Sequence, residues 1–118
     1  MKLTVQEKPA RLTAGDAEKL DLHFANYFYE VANFPEATRQ AQAALATNPK
    51  SISADIVLGE IKRAQGDLAG ALEVFQKATV EFYKQNPHAY EPPTLLLSRI
   101  SDLQEKLEDP GPKVASSR

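Results

Sequence analysis

Apolar residues recur every three or four positions through five stretches of this chain, which is the spacing of one face of an α-helix. The first stretch follows Thr13, whose hydroxyl is placed to accept a hydrogen bond from a free backbone N–H at a helix start. Asn33-Phe34-Pro35 ends this stretch, and Pro35 suits the first turn of the next helix because it has no N–H to lose. The apolar positions of the first stretch are Leu20, Phe24, Tyr27, Phe28 and Val31.

Four further helices are predicted, separated by segments that contain proline or glycine. They cover about Pro35 to Thr47, Ser53 to Gln65, Leu68 to Gln85 and Thr94 to Glu108. The fifth predicted helix carries an apolar stripe of Leu96, Ile100, Leu103 and Leu107, and Leu95 and Leu97 flank this stripe widely, so that one of them is expected to stay exposed. The pattern predicts an all-α fold of about five helices.

The two ends of the chain lack helical periodicity. Residues 1–12 contain Pro9 and alternate briefly between polar and apolar, which fits either an N-terminal arm or the last strand or linker of a preceding domain. Residues 109–118 have the composition of a disordered tail. We therefore expect the ordered domain to cover residues 13–108 and the chain to be a piece of a longer protein.

The first four predicted helices form two copies of one unit, at a spacing of 34 residues. When the unit begins at Glu18 and again at Ile52, small residues fall at the same unit positions in both copies. These positions hold Ala25 and Gly59, Ala37 and Ala71, and Ala44 and Ala78. Small side chains allow two helix backbones to approach closely, so each unit is expected to be a tightly packed helix pair.

This recurrence resembles the tetratricopeptide repeat family. The resemblance implies a short right-handed α-solenoid of antiparallel helix-turn-helix units, with repeats at residues 18–51 and 52–85 and a capping helix at residues 94–108. It also implies that a large residue, Phe24 or Leu58, fills the space between the helices of each unit, and that Ala32-Asn33 and Gly66-Asp67 form the tight turns. The second copy has its proline four residues late, at Pro87, so its second helix should be about one turn longer.

Composition narrows the range of functions. The chain has a net charge of −2 and interleaves its basic residues with acidic ones, so no basic surface is predicted for nucleic acid. It has no cysteine, which excludes disulfides and cysteine-ligated zinc. No apolar run approaches the roughly 20 residues that span a bilayer. These features leave the cellular location open.

The sequence offers no pattern typical of an enzyme. Its two histidines, His23 and His88, are far apart, and no glycine-rich phosphate loop or nucleophile elbow is present. We therefore expect neither catalysis nor a metal or other cofactor.

In the tetratricopeptide repeat family the first helix of each unit lines a concave groove that holds a protein or peptide. Carried onto this chain, the groove positions hold Ser53 and the candidate binding residues Lys19, Leu22, Asn26, Tyr29, Ile56, Glu60 and Arg63. The resemblance thus predicts a scaffold or adaptor that binds a peptide or protein partner on this concave face. A face that is unused, or covered by the N-terminal arm, stays open, and so does a structural domain that forms a homodimer through its fifth helix.

Overall fold

The computed structural model describes residues 13–108, which form five α-helices and no β-strand. The all-α fold class predicted from the sequence is therefore confirmed, whereas the solenoid and its handedness stay predictions. The expectations for residues 1–12 and 109–118 lie outside the described range. The helices are α1 (Ala14–Glu30), α2 (Phe34–Thr47), α3 (Ile52–Ala64), α4 (Leu68–Gln85) and α5 (Thr94–Glu108).

The helices begin and end where local chemistry favours it. Thr13 caps α1 as predicted, since its Oγ1 accepts a hydrogen bond from the Asp16 backbone N–H at 3.0 Å. The helix α3 begins one residue earlier than predicted, because Ser51 is its cap and accepts a hydrogen bond from the Ala54 N–H at 3.1 Å. With 18 residues against 14, α4 is longer than α2 by about the one turn that the late proline predicted.

The turn between α1 and α2 has the same construction as the turn between α3 and α4. Ala32 and Gly66, 34 residues apart, both have a positive φ, of 60° and 88° respectively. In both turns the N–H of the following residue donates to the carbonyl oxygen five residues back, at 2.8 Å. The three-residue connection makes each helix pair antiparallel, and the predicted turns at Ala32-Asn33 and Gly66-Asp67 are confirmed.

Ala32 adopts its left-handed conformation at a steric cost that glycine does not have. We expect Ala32→Gly to raise the free energy of unfolding by about 0.5–1 kcal/mol, because relief of strain exceeds the extra entropy of glycine in the unfolded chain. Urea unfolding followed by circular dichroism measures the change. As a control, Ala43→Gly, in the interior of α2, should lower the same quantity by about 0.5–1 kcal/mol. Equal destabilisation by both substitutions would contradict the assignment of strain to Ala32.

Two core clusters share the central helix α3. The first joins α1, α2 and α3 and contains the buried residues Ala25, Ala37, Ala41, Val57 and Ile61. The second joins α4 and α5, with partly buried residues of α3 packed against it, and contains Ala71, Phe75, Ala78, Leu96 and Leu103. The small residues predicted to lie between helices are buried in both copies. Each cluster therefore corresponds to one predicted unit and the helix that follows it.

Polar contacts fix the connection between the two units. The Glu18 carboxylate, at the start of α1, accepts hydrogen bonds from Asn48 Nδ2 at 3.0 Å and from Ser51 Oγ at 2.6 Å. From the other side, Gln85 Nε2 donates to the Lys50 backbone carbonyl at 2.9 Å. The loop between α2 and α3 is thus bonded to the first helix and to the fourth, which sets the position of the second pair on the first.

Three predictions about burial are wrong. Phe24 does not fill the space between α1 and α2 but is exposed, because it lies on the side of α1 that faces away from α2. Its counterpart Leu58 packs against the first core cluster and not between α3 and α4. Leu107 does not complete the buried stripe of α5, since it lies beyond the last buried position, Leu103. Both Leu95 and Leu97 are exposed, by 37% and 43%, where one exposed residue was expected.

Candidate functional site

A cleft of about 340 Å³ opens between the first helices of the two units and α5. The helix α5 packs on α4 in the same way that α3 packs on α2. It therefore takes the position that the first helix of a further unit would occupy. One wall of the cleft comes from α1, the floor from α3 and the other wall from α5. The lining residues are Asn26, Tyr29, Glu30, Ile56, Val57, Glu60, Leu95 and Arg99.

Four of the seven candidate binding residues line this cleft, namely Asn26, Tyr29, Ile56 and Glu60. The other three do not line it. Lys19 is exposed near the start of α1, Leu22 packs against the first core cluster, and Arg63 lies behind Glu60 and is bonded to it. Ser53 is exposed outside the cleft lining. The predicted groove positions thus fall into a central group that shares one concave surface and an outer group that does not.

Sequence reasoning missed four lining residues, Glu30, Val57, Leu95 and Arg99. Leu95 and Arg99 lie four positions apart on α5 and therefore share one face of that helix. They were not predicted because the sequence indicated α5 as a capping helix or a dimer contact and not as a wall of the groove. The signal that could have revealed them is this four-residue spacing on a helix that follows α4 as α3 follows α2.

The side chains on the α1 wall are held in place by their own helix and by the core. Asn26 Nδ2 donates a hydrogen bond to the Leu22 carbonyl oxygen at 3.1 Å, which leaves the amide oxygen of Asn26 as an acceptor. The Tyr29 ring lies 6.1 Å from the Phe34 ring, between centroids, and also packs against the first core cluster. Side chains that are fixed before binding lose less entropy when a ligand arrives.

A charged cluster of three side chains spans the floor and the α5 wall. Glu60 Oε1 accepts hydrogen bonds from Arg63 Nε at 3.1 Å and Nη2 at 2.8 Å, and Glu60 Oε2 accepts one from Arg99 Nε at 2.9 Å. Both oxygens of Glu60 are therefore engaged, and the cluster carries a net charge of +1. This arrangement ties α5 to α3 and leaves the Nη groups of Arg99 as the donors that a ligand can use.

The opposite wall of the cleft is acidic. Glu30 is exposed at the end of α1 and forms no ion pair with any residue between 13 and 108. Apolar groups of Ile56, Val57 and Leu95 lie in the same cleft. The cleft thus has a cationic side, an apolar middle and an anionic side, which can contact several groups of one polypeptide segment at once.

A buried carboxylate lies elsewhere on α3. Asp55 is only 2% exposed, and both of its oxygens accept hydrogen bonds from Lys77 Nζ of α4, at 3.0 and 3.3 Å. Burial raises the pKa of Asp55 above its ordinary value of 3.8, while the hydrogen bond and the charge of Lys77 lower it and nearby Glu81 raises it again. Asp55 does not line the cleft, and its bonds to Lys77 connect the two helices of the second unit.

This raised pKa predicts a pH dependence of stability. Between 3.8 and the folded-state pKa, the native state holds more of the Asp55 proton than the unfolded state does, so this group's contribution to stability falls as pH rises through that window. We expect the free energy of unfolding of the wild type, minus that of Asp55→Asn, to decrease as the pH rises above about 4 through the folded-state pKa of Asp55. Urea unfolding of both proteins measures this difference, in which the other carboxyl groups cancel. A difference that rises with pH would contradict the prediction.

Between residues 13 and 108, no group of three or more histidine, aspartate or glutamate side chains is placed to hold a metal ion. No helix in this part of the chain combines the length and apolar character needed to cross a membrane.

Comparison with protein-family models, with curated proteins and with solved structures gives no match for this chain. We therefore infer the function from the cleft and from the repeated construction of its helices.

Proposed function

We propose that this protein is a tetratricopeptide-type interaction module that holds a segment of a protein partner in the cleft between α1, α3 and α5. The observation that supports it is the convergence of Asn26, Tyr29, Ile56 and Glu60, chosen from their unit positions alone, on one cleft of about 340 Å³. The module acts by binding and not by catalysis. The side chains in its cleft serve to position a partner, and the Glu60 carboxylate is occupied by two guanidinium groups.

The chemistry of the cleft indicates what the segment contains. An apolar side chain of the partner contacts Ile56 and Leu95, an acidic group or a carbonyl oxygen accepts from Arg99, and a basic group lies beside Glu30. Binding surfaces in proteins commonly combine an apolar centre with polar groups around it. A partner segment with one apolar residue between an acidic and a basic residue fits this order of contacts.

Affinity capture from an extract of the source cells, followed by titration of the captured segment as a labelled peptide, tests the proposal. Leu95→Glu places a charge in the apolar part of the cleft and is expected to weaken binding by at least about tenfold. Leu97→Glu is the matched control, because Leu97 lies on the same helix with a similar exposure, 43% against 37%, and does not line the cleft.

The control should bind the peptide within about twofold of the wild type, since surface charges remote from a contact have small effects. Equal affinity of the wild type and Leu95→Glu would contradict the proposal.

The other function predicted from the sequence is self-association through α5. Leu97 and Leu107 are both exposed on that helix. At 100° per residue, however, they project about 80° apart around the helix axis, so they do not form one continuous apolar face. Sedimentation velocity of Leu97→Glu tests this alternative, which requires that the substitution dissociate a wild-type dimer.

A further inference from the structure

A second apolar surface runs along α1 on the side that faces away from the first core. Four residues form it at helical spacing, within about 60° around the helix axis. Tyr27 is 55% exposed, and two of the other three residues are also exposed. We call this surface the α1 stripe, and it consists of Leu20, Phe24, Tyr27 and Val31.

The equivalent face of the next unit is covered by a helix. The residues 34 positions after Leu20, Phe24 and Tyr27 are Ala54, Leu58 and Ile61, and the counterpart of Val31 is Gln65, which is exposed at the end of the helix. Ala54 and Ile61 are fully or almost fully buried, and Leu58 packs against the cluster that contains two alanines of α2. In the second unit, this face of α3 is therefore buried against the preceding helix α2. The same face of α1 is uncovered within the described part of the chain.

The α1 stripe is bulkier than its counterpart on α3. At three equivalent positions, α1 has leucine, phenylalanine and tyrosine, whereas α3 has alanine, leucine and isoleucine. The close approach that the alanines of α2 make to α3 is thus not repeated at α1. Large side chains at every turn suit a partner face that interleaves its own large side chains with them.

Two residues of opposite charge lie beside the stripe, and each can pair with the other one on a second copy of α1. Lys19 and Glu30 lie 11 residues apart (30 − 19), about 20° from each other around the axis and along the same edge of the stripe. They are about 16 Å apart along the helix and cannot pair with each other. Neither forms an ion pair with another described residue. A second copy of α1 in antiparallel orientation brings its Glu30 opposite Lys19, and its Lys19 opposite Glu30.

We propose that this protein forms a homodimer in which the α1 stripes of two copies pack antiparallel, with Phe24 and Tyr27 at the centre and two Lys19–Glu30 pairs at the edge. A shallow hollow of about 260 Å³, lined by His23, Asn26, Tyr27 and Glu30, adjoins the stripe at Tyr27 on the side towards the cleft and receives an aromatic ring of the second copy. The interface is isologous, so one surface supplies both halves.

Sedimentation velocity of the whole chain, from about 5 to about 200 µM, tests the proposal. The wild type is expected to pass from monomer to dimer within this range. Tyr27→Glu buries a charge at the centre of the interface and should raise the dissociation constant at least about tenfold. Val80→Glu is the matched control, because Val80 has the same exposure of 55% and lies on α4. The control should dimerise as the wild type does.

A charge exchange tests the orientation. Lys19→Glu places two carboxylates together at each edge and is expected to raise the dissociation constant by about threefold or more, an effect that added salt reduces. Lys19→Glu combined with Glu30→Lys should restore the wild-type constant.

A wild type that stays monomeric throughout this concentration range overturns the proposal and indicates that something other than a second copy covers the stripe. Equal weakening by Tyr27→Glu and Val80→Glu also overturns it, and failure of the double exchange overturns the antiparallel arrangement. Glu30 borders both surfaces, so the Lys19–Glu30 pairs of the dimer would engage the carboxylate that the cleft offers to a basic group of the partner. Leu95 lies in the cleft and not on the α1 stripe, so Leu95→Glu should not change dimerisation and distinguishes this test from that of the proposed function.

Discussion

Replacing Phe75 by alanine is expected to lower the free energy of unfolding by about 3–5 kcal/mol. Phe75 is the largest fully buried side chain in the described structure, and it lies where α3, α4 and α5 meet. Its removal leaves a cavity beside Leu96 and Leu103, and the rigid helices around it can close that cavity only in part. Urea unfolding followed by circular dichroism measures the loss.

Tyr90→Ala provides the control for this measurement, because Tyr90 is an aromatic residue that is almost fully exposed. It should change the free energy of unfolding by less than about 0.5 kcal/mol. A loss below about 1 kcal/mol for Phe75→Ala would contradict the close packing of the second core cluster.

Gly59→Ala is expected to destabilise the protein by about 1–3 kcal/mol, although alanine favours a helix more than glycine does. A methyl group on Gly59 would lie 2.7 Å from Cε1 and Cζ of the buried Phe75 ring, so that α3 and α4 could not keep their separation. The matched control is Gly15→Ala in α1, where the added methyl group has no neighbour closer than 3.8 Å. This control should be neutral or stabilising, by up to about 1 kcal/mol.

A double substitution identifies the cause of the Gly59 effect. Gly59→Ala combined with Phe75→Leu should cost less than the sum of the two single substitutions, because the smaller side chain makes room for the methyl group. The first unit shows the same relation in natural form, since Ala25 and Ala41 occupy the positions of Gly59 and Phe75. Additive effects of the two substitutions would contradict direct contact between these residues.

The helices and turns could be predicted from the sequence because their signals are local. Pro35, Asn48-Pro49 and Gly66 restrict the backbone wherever they stand, and Thr13 caps a helix with a group three residues away. The 34-residue recurrence also predicted the turn at Ala32. This turn contains no glycine, but Ala32 has a positive φ like that of Gly66. Local chemistry and repetition thus determined the boundaries of all five helices to within one or two residues.

Burial could be predicted only where the neighbouring helix was known. The periodicity of α1 places Phe24 on an apolar side of the helix, but it does not say which helix covers that side. The structure shows α2 packed on the side of Ala25 instead, and Phe24 lies exposed on the α1 stripe. An apolar stripe in a sequence therefore predicts a contact surface without naming the partner.

The candidate site was predicted in part for the same reason. Its α1 and α3 residues have unit positions that the repeat supplies, whereas Leu95 and Arg99 belong to a helix outside the two copies. The bond from Arg99 to Glu60 crosses 39 residues of sequence and depends on how α5 packs against α4. No local sequence pattern predicts such a contact, so the α5 wall of the cleft could be identified only from the three-dimensional structure.

Amide chemical-shift mapping of the isotopically labelled protein during titration with its captured partner peptide tests the central proposal most directly. We expect the largest shifts at Asn26, Ile56, Leu95 and Arg99, on the three helices that form the cleft, with Val80 and Tyr90 unchanged. Shifts confined to the outer faces of α2 and α4, with none in the cleft, would contradict the proposal that this surface holds the partner.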